Sequence, residues 1–188
     1  MRIITGSAKG INLHTLEGDA TRPTSARAKE ALFSMLQFDV EGRRVLDLFG
    51  GSGQLGLEAL SRGAASCTFV DAAPAAVAVI RQNIEKTGFT DRARVQNADY
   101  RNFLRKCKED GFDLVFLDPP YASDALADAL LRLCESGLLH RGCILACESE
   151  TGGVLEKDAR LAEAYTLLKG SHYGRVHIEL LTPQAAEV

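Results

Sequence analysis

The stretch VLDLFGGSGQLGLEAL, residues 45–60, runs from an apolar strand candidate through a glycine-rich turn into a segment of helical periodicity. Gly51, Gly53 and Gly56 match the pattern Gly-x-Gly-x-x-Gly, which joins the first strand to the first helix in many ligand-binding α/β sheets. Such glycines let the backbone approach a ligand closely, and the N-terminus of the helix favours an anionic group. The pattern predicts a ligand-binding turn but does not say which ligand it holds.

From residue 43 onward, short apolar runs alternate with segments of helical periodicity. The runs are rich in Val, Leu, Ile and Phe, which is typical of strands buried on both faces. Strand candidates are residues 44–49, 67–71, 93–97, 113–118 and 143–149, and helix candidates are residues 53–63, 73–88 and 123–137. Repeated βα units predict an α/β fold with a doubly wound, mostly parallel, Rossmann-like sheet that carries helices on both faces.

The two ends of the chain depart from this alternation. Residues 165–174 and 175–183 are strand candidates joined by a turn that contains glycine, and they predict a C-terminal antiparallel strand pair added to the sheet. At the other end, the sequence predicts a β-hairpin around Ala8–Gly10. Residues 25–37 follow with apolar side chains on one helical face, so we expect an N-terminal extension made of a hairpin and a helix.

The composition is that of an ordinary globular protein, with 46% hydrophobic and 25% charged residues in a chain of 188. We expect one domain over residues 1–188, in which an N-terminal extension, 1–42, precedes a Rossmann-like core, 43–188. The five cysteines lack metal-ligand spacing, and no apolar run resembles a signal peptide or a membrane span. We therefore expect a cytoplasmic protein with reduced thiols and no membrane partner. The net charge of −3 gives no global sign of a nucleic-acid partner.

Three acidic residues follow successive strand candidates, at the edge where open parallel sheets bind ligands. Asp47 precedes the glycines and would repel a pyrophosphate, whereas it could hold the α-ammonium group of S-adenosylmethionine (SAM). Asp71 could accept hydrogen bonds from ribose hydroxyls of either SAM or NAD, and Asp99 could accept one from an adenine amino group. Each acid alone could equally be a solvated strand end or a helix cap. Their recurrence predicts a nucleoside cofactor and favours SAM over NAD.

A second chemical motif, Asp118-Pro119-Pro120-Tyr121, directly follows the fourth strand candidate. The two prolines fix φ and remove two backbone donors, so the turn is rigid and presents carbonyl acceptors. The exocyclic amine of a nucleobase is a poor nucleophile because its lone pair is conjugated with the ring. Hydrogen bonds from its N–H groups to the Asp118 carboxylate and the Pro119 carbonyl would favour the pyramidal, nucleophilic form. Tyr121 could stack on a base that has left its helix or loop.

These motifs together resemble a known group of enzymes. DLFGGSG, VDAAP and FLDPPY are similar to the motifs of Rossmann-fold, SAM-dependent amino-methyltransferases. MRIITGSAKG, TRPTSARAKEALFSML and VLDLFGGSGQLGLEALSRGA resemble the RsmD family, bacterial methyltransferases of the guanine N2 amine in 16S ribosomal RNA. The resemblance covers nearly the whole chain in the right order. It implies methyl transfer from SAM to one guanine, with S-adenosylhomocysteine as the other product, no metal, and 16S RNA in a small-subunit assembly particle as the partner.

The resemblance also implies roles for particular residues. The catalytic turn comprises Asp118, Pro119, Pro120 and Tyr121. The cofactor residues are Asp47, Phe49, Gly51, Gly53, Asp71, Ala72, Asp99, Tyr100 and Asp118. The candidate RNA contacts are Arg22, Pro23, Thr24, Arg27, Arg2, Lys9 and Tyr173, although the first hairpin could equally be structural cover and Tyr173 a packed turn residue. Gly50 and Ala26 depart from the family pattern, where Ala and Asp are more common, and Ala26 argues against a salt-bridge role at that helix start.

Three other functions compete with this interpretation. An adenine-N6 methyltransferase acting on DNA or RNA could use the same Asp-Pro-Pro-aromatic turn. An NAD-dependent oxidoreductase could use the same glycine pattern. A SAM-binding or RNA-binding module without catalysis is the third alternative, and the intact catalytic turn argues against it.

Overall fold

The computed structural model describes residues 1–16, 23–120 and 124–184. In these ranges a seven-stranded sheet has the order β3-β2-β1-β4-β5-β7-β6. The strands are β1 Arg44–Asp47, β2 Ser66–Asp71, β3 Ala93–Asn97, β4 Phe112–Leu117, β5 Leu139–Ser149, β6 Tyr165–Tyr173 and β7 Val176–Pro183. The helices are α1 Pro23–Met35, α2 Gln54–Ser61, α3 Pro74–Thr87, α4 Tyr100–Lys106, α5 Ala125–Ser136 and α6 Ala159–Ala164, with a 3₁₀ turn at Val154–Glu156.

The pairing of the strands confirms the predicted Rossmann-like sheet. Strands β1 to β5 are parallel to one another, whereas β7 is antiparallel to both β5 and β6. The sequence therefore predicted the five parallel strands and the C-terminal antiparallel pair. It did not predict α4, α6 or the 3₁₀ turn, because these segments are only three to seven residues long and show little periodicity.

Side chains of successive strand residues alternate between two buried clusters, one on each face of the sheet. Val45, Phe116 and Ala146 lie in the cluster that also contains apolar residues of α1, α2 and α3. Leu46 and Leu117 lie in the opposite cluster, with residues of α4, α5 and α6. We call the two sides the α1–α3 face and the α4–α6 face. This alternation decides which strand-end side chains share a surface.

The N-terminal segment forms the predicted hairpin, although its two arms are too short to be regular strands. A single antiparallel bridge joins Arg2 to Asn12, and backbone hydrogen bonds cross the hairpin from Ile3 N–H to Ile11 at 3.0 Å and from Gly10 N–H to Ile3 at 2.9 Å. The hairpin is also attached to α2, which the sequence did not predict. The Glu58 carboxylate accepts hydrogen bonds from the N–H groups of Ile4 and Thr5, at 2.8 and 3.0 Å, and the Ser61 hydroxyl accepts one from Ala8 N–H at 3.0 Å.

Glu58 is fully buried and also joins two helices. The Lys29 ammonium of α1 lies 3.0 Å from one carboxylate oxygen, and the Arg62 guanidinium lies 2.9 Å from the other. Burial lowers the pKa of Lys29, against the opposing effect of the Glu58 charge. One carboxylate thus connects the first residues of the chain, α1 and α2.

No helix in residues 1–16, 23–120 or 124–184 has both the length and the apolar character needed to cross a membrane.

We expect Glu58→Gln to lower the free energy of unfolding by about 3 kcal/mol, because removal of one partner leaves a buried charge uncompensated. Lys29→Met combined with Glu58→Gln should lose less than the single Glu58 variant, because the unpaired ammonium is gone as well. Urea unfolding monitored by circular dichroism measures both. Glu85→Gln, an exposed change on α3, is the matched control. Equal effects of Glu58→Gln and Glu85→Gln would contradict the role given to Glu58.

Candidate active site

Four carboxyl groups lie at the carboxyl ends of four adjacent strands, β2, β1, β4 and β5. Asp71 ends β2, Asp47 ends β1, Asp118 follows β4, and Glu148 is the penultimate residue of β5. Each is two positions beyond a residue of the α1–α3 cluster, so all four side chains share the α1–α3 face. The sequence predicted the three aspartates. It missed Glu148, although an acid at the end of an apolar strand is the signal that revealed the others.

The glycine-rich turn brings the start of α2 against this edge. Gly53 caps α2 with φ 78°, a left-handed conformation that favours glycine. At Gly56 a side chain has no room, because a Cβ atom would lie 2.3 Å from the Phe69 ring and 2.6 Å from the Cys67 sulfur. The third glycine of the pattern therefore serves the packing of α2 on β2, while the first two shape the turn.

Asp71 holds the backbone of two loops at once. One carboxylate oxygen accepts the Gly51 N–H at 2.9 Å, and the other accepts the Ala73 N–H at 2.8 Å. The Asn97 amide donates to the carbonyl oxygens of Asp71 and Ala72, at 3.0 and 3.1 Å. Because a carboxylate oxygen can accept more than one hydrogen bond, these contacts are compatible with a further role toward ribose hydroxyls.

Asp47 lies deeper than the other predicted cofactor acids, with an exposed fraction of only 2%. Its carboxylate accepts the Gly56 N–H at 3.0 Å. Burial raises the pKa of Asp47 to about 7, against the effect of that hydrogen bond and together with the negative charges of Asp118 and Asp71. A cationic group is the ligand chemistry that would relieve this energetic cost. The site therefore fits the α-ammonium that the sequence assigned to it.

The third predicted cofactor acid has a structural role. Asp99 caps α4 by accepting the Arg101 N–H at 3.0 Å. Next to it, the Tyr100 hydroxyl donates to Asp128 at 2.7 Å, and its ring packs on the half-buried Phe49 ring with centroids 5.1 Å apart. Burial raises the pKa of Tyr100 to about 12, together with the hydrogen bond to Asp128. The adenine contact of Asp99 and the cofactor contact of Tyr100 stay predictions.

The start of the predicted catalytic turn follows β4, between β1 and β5, and so lies within the row of acids. Asp118 is half-buried, Pro119 is buried and Pro120 is exposed. Tyr121 lies outside the described residues. The negative charges of Asp47 and Glu148 both interact with that of Asp118. Asp118 is therefore close to the glycine turn on one side and to β5 on the other.

The predicted RNA contacts are spread over the N-terminal segment, α1 and β6. Arg2, Lys9 and Arg27 are exposed, and Tyr173 is half-buried against the α1–α3 cluster at the end of β6. Arg22 lies outside the described residues. Pro23 and Thr24 begin α1, and their side chains lie outside the described part as well.

The N-terminal segment touches the glycine turn, which the sequence did not predict. Asn83 of α3 accepts the His14 N–H at 2.8 Å and donates to the carbonyl oxygens of His14 and Ser52, at 3.0 and 2.9 Å. Asn83 is fully buried. A polar residue next to Ile84 on the apolar side of α3 was the available signal. The extension is therefore attached beside the candidate active site.

A family model described as "Conserved hypothetical protein 95" matches residues 1–182. Ribosomal RNA small subunit methyltransferase D of Haemophilus influenzae is 34% identical over 182 residues, 96% of this chain and 92% of that protein. The chain belongs to the RsmD family of methyltransferases. The family member of the same name from Escherichia coli K12 is 35% identical over 150 residues, 80% of this chain and 75% of the relative. A solved Escherichia coli structure, yhhF, matches with a TM-score of 0.83 and 30% identity, over 98% of each chain. The resemblance to the RsmD family is confirmed.

We expect Asp47→Asn to stabilise the ligand-free protein at high pH. The pKa of Asp47 is about 7 in the folded state and near 3.8 in the unfolded chain, so the wild type loses stability as pH rises from about 4 to 7. The asparagine variant does not show this loss of stability, because its side chain does not ionise. Its advantage over the wild type should grow by on the order of 2 kcal/mol between pH 5 and pH 8.

Urea unfolding at both pH values measures this difference. Asp113→Asn is the control, because its effect on stability at pH 8 should have the opposite sign. Hydrogen bonds from Arg44 N–H and His140 outweigh partial burial and lower the pKa of Asp113. Its neutral variant should therefore be less stable than the wild type at pH 8. An Asp47→Asn advantage that does not change with pH would contradict the assigned pKa.

Proposed function

We propose that this protein transfers a methyl group from SAM to the exocyclic N2 amine of a guanine in 16S ribosomal RNA. Membership of the RsmD family supports methylation of ribosomal RNA, since relatives carry that name. The observation that carries the proposal is the position of Asp118. It lies in the row of strand-end acids, between Asp47, which is suited to a cation, and a strand that leads to Glu148.

The residues of the glycine turn and of the strand ends would hold SAM. Asp47 would bind the α-ammonium, amides of the turn at Gly51 and Gly53 would face the carboxylate, and Asp71 would accept from the ribose. The remaining cofactor contacts are assigned to Phe49, Ala72, Asp99 and Tyr100. When bound, SAM supplies a methyl group on a positively charged sulfur, which makes that methyl group electrophilic. The fit rests on the buried carboxyl of Asp47, whose negative charge a cation would stabilise.

The chain's own contribution to the reaction is the orientation of the amine. The Asp118 carboxylate and the Pro119 carbonyl would accept the two N–H groups of N2, which withdraws the nitrogen lone pair from conjugation. As the bond from N2 to the methyl carbon forms and the bond from that carbon to sulfur breaks, one proton leaves N2. Asp118 is the group placed to receive that proton at its carboxylate oxygen. The rigid turn keeps both acceptors in place before the base arrives.

Basic residues would bind RNA through its phosphates, independently of sequence. The exposed residues Arg2, Lys9 and Arg27 are assigned to this role, together with Arg22, Pro23 and Thr24. Tyr121 would stack on the flipped guanine, and Tyr173 would line the same pocket. Because the extension is attached to the glycine turn through Asn83, these contacts would lie close to the cofactor. The net charge of −3 gives little general attraction for RNA, which supports a substrate already assembled with ribosomal proteins.

Incubation with labelled SAM and unmethylated small-subunit particles, followed by digestion to nucleosides, tests the proposal. We expect the label in N2-methylguanosine. Label in N6-methyladenosine would favour the adenine alternative. Comparing label transfer to naked RNA with label transfer to assembled particles shows which form is the substrate. Calorimetric titration with SAM and with NAD tests the oxidoreductase alternative, because an NAD-dependent oxidoreductase would bind NAD more tightly than SAM. Cofactor binding without any label transfer would favour a non-catalytic module.

We expect Asp118→Ala to reduce turnover by about 10² to 10³, because an acceptor that acts at the reacting amine is lost. SAM affinity should stay within about tenfold of the wild-type value, since the assigned cofactor contacts are made mainly by other residues. Single-turnover label transfer and calorimetry measure the two quantities. Asp124→Asn changes an exposed acid six residues downstream and is the matched control. Loss of SAM binding in Asp118→Ala would mean that this residue serves the cofactor rather than the amine.

A further inference from the structure

Glu148 is a buried carboxyl group that the proposed chemistry does not yet use. It has an exposed fraction of 8% and pairs with Ile178 of β7 on one side. On the other side, Cys147 is opposite Leu117 in the register of β5 with β4, so the next residues, Glu148 and Asp118, are neighbours. Adjacent strands are about 4.8 Å apart, so the two carboxyl groups can contact the same planar ring.

The surroundings of Glu148 leave its carboxyl oxygens open to a ligand. No hydrogen bond joins this carboxyl to another residue within 1–16, 23–120 or 124–184, and no fully buried side-chain oxygen in those ranges lacks a partner, so these oxygens reach the surface of the site. Burial raises the pKa of Glu148 well above its usual value, and the negative charges of Asp118 and Asp47 add to this effect. A carboxyl group kept in such a position at the edge of the amine site is suited to a ligand that brings its own N–H.

Guanine brings that N–H on the ring atom next to the carbon that bears the N2 amine. We propose that Glu148 accepts the N1–H of the target guanine while Asp118 accepts from its N2 amine. This inference rests on the proposed function and adds a specificity-determining residue to it. In adenine, the ring nitrogen beside the exocyclic amine carries a lone pair instead of a hydrogen. An ionised Glu148 would repel that lone pair, so in the form that recognises guanine the same residue disfavours adenine.

The ionised form of Glu148 is the one that recognises guanine. In the ligand-free site its burial favours the protonated form, but an N–H donor stabilises the carboxylate when the base enters. The positive charge of SAM beside Asp47 acts in the same direction. Binding of the base and binding of SAM therefore each favour the other, because both stabilise the ionised form of Glu148.

A purine analogue separates this role from a purely structural one. 2-Aminopurine carries the same 2-amino group as guanine, but its N1 is an acceptor and it lacks the 6-oxo group. We would map the methylated guanine, then rebuild particles with guanine, 2-aminopurine or hypoxanthine at that position. The measurement is kcat/KM for label transfer. Hypoxanthine, which has no 2-amino group, reports the background.

We expect the wild type to prefer guanine over 2-aminopurine by at least about tenfold, the equivalent of one hydrogen bond. In Glu148→Gln that preference should fall by about tenfold or more, because the glutamine amide can donate to N1 of 2-aminopurine. Glu150→Gln, an exposed change two residues later, should keep the wild-type preference. SAM binding by Glu148→Gln should be retained within about tenfold of the wild-type affinity, because the variant loses only the coupling through this charge, and retained binding shows that the variant is folded.

Two results would overturn the role of Glu148. The first is a wild type that methylates 2-aminopurine as well as guanine, which requires no variant. The second is a Glu148→Gln enzyme that binds SAM, methylates guanine and keeps the full wild-type preference. A wild type that methylates no guanine in any particle would instead overturn the proposed function, so the two failures are distinguishable.

Discussion

In a sheet of parallel strands every strand ends at the same edge, and every second side chain lies on the same face. This geometric constraint brings Asp71, Asp47, Asp118 and Glu148 together, although they are spread over more than one hundred residues of sequence. Ionised carboxylates in a partly buried row repel one another, and at Asp47 and Glu148 this repulsion and burial together raise the pKa. The edge is therefore prepared for cations and hydrogen-bond donors, and unsuited to a pyrophosphate.

The N-terminal extension is held on the same face by a second arrangement of charges. Glu58 binds Lys29 and Arg62 while accepting two backbone N–H groups, so its desolvation is offset by four hydrogen bonds or ion pairs. Asn83 then attaches the end of the segment to Ser52 in the glycine turn. A buried ion pair contributes less net stability than its contacts suggest. Its effect here is to fix where the extension lies, next to the proposed cofactor and RNA contacts.

Much of the fold could be predicted from the sequence because the deciding signals are local. Strands buried on both faces appear as short apolar runs, and Gly63, Gly88 and Gly137 mark the ends of three helices. Glu58 could not be recognised in the same way. In the sequence it resembles an ordinary polar residue on a helix, and its burial exists only because α1 and the first residues of the chain cover it. The hairpin itself was predicted, but its attachment to α2 could not be, since α2 binds backbone N–H groups that the hairpin does not use.

The functional acids were predictable in position but not in their full roles. Asp71 and Asp99 bind backbone N–H groups, which is the structural role that each could have had alone, and for Asp71 this role coexists with the proposed one. Coexistence is possible because a carboxylate has about four acceptor positions. The order of the strands also matches the order of the groups assigned to the site. Passing from β2 through β1 and β4 to β5, the acids would meet a ribose, an ammonium, the reacting amine and the base edge. Because the sulfonium joins the ribose to the amino-acid part of SAM, a cofactor held at Asp71 and Asp47 would carry its methyl group between these two contacts, and that group would have to face the next strand end, at Asp118.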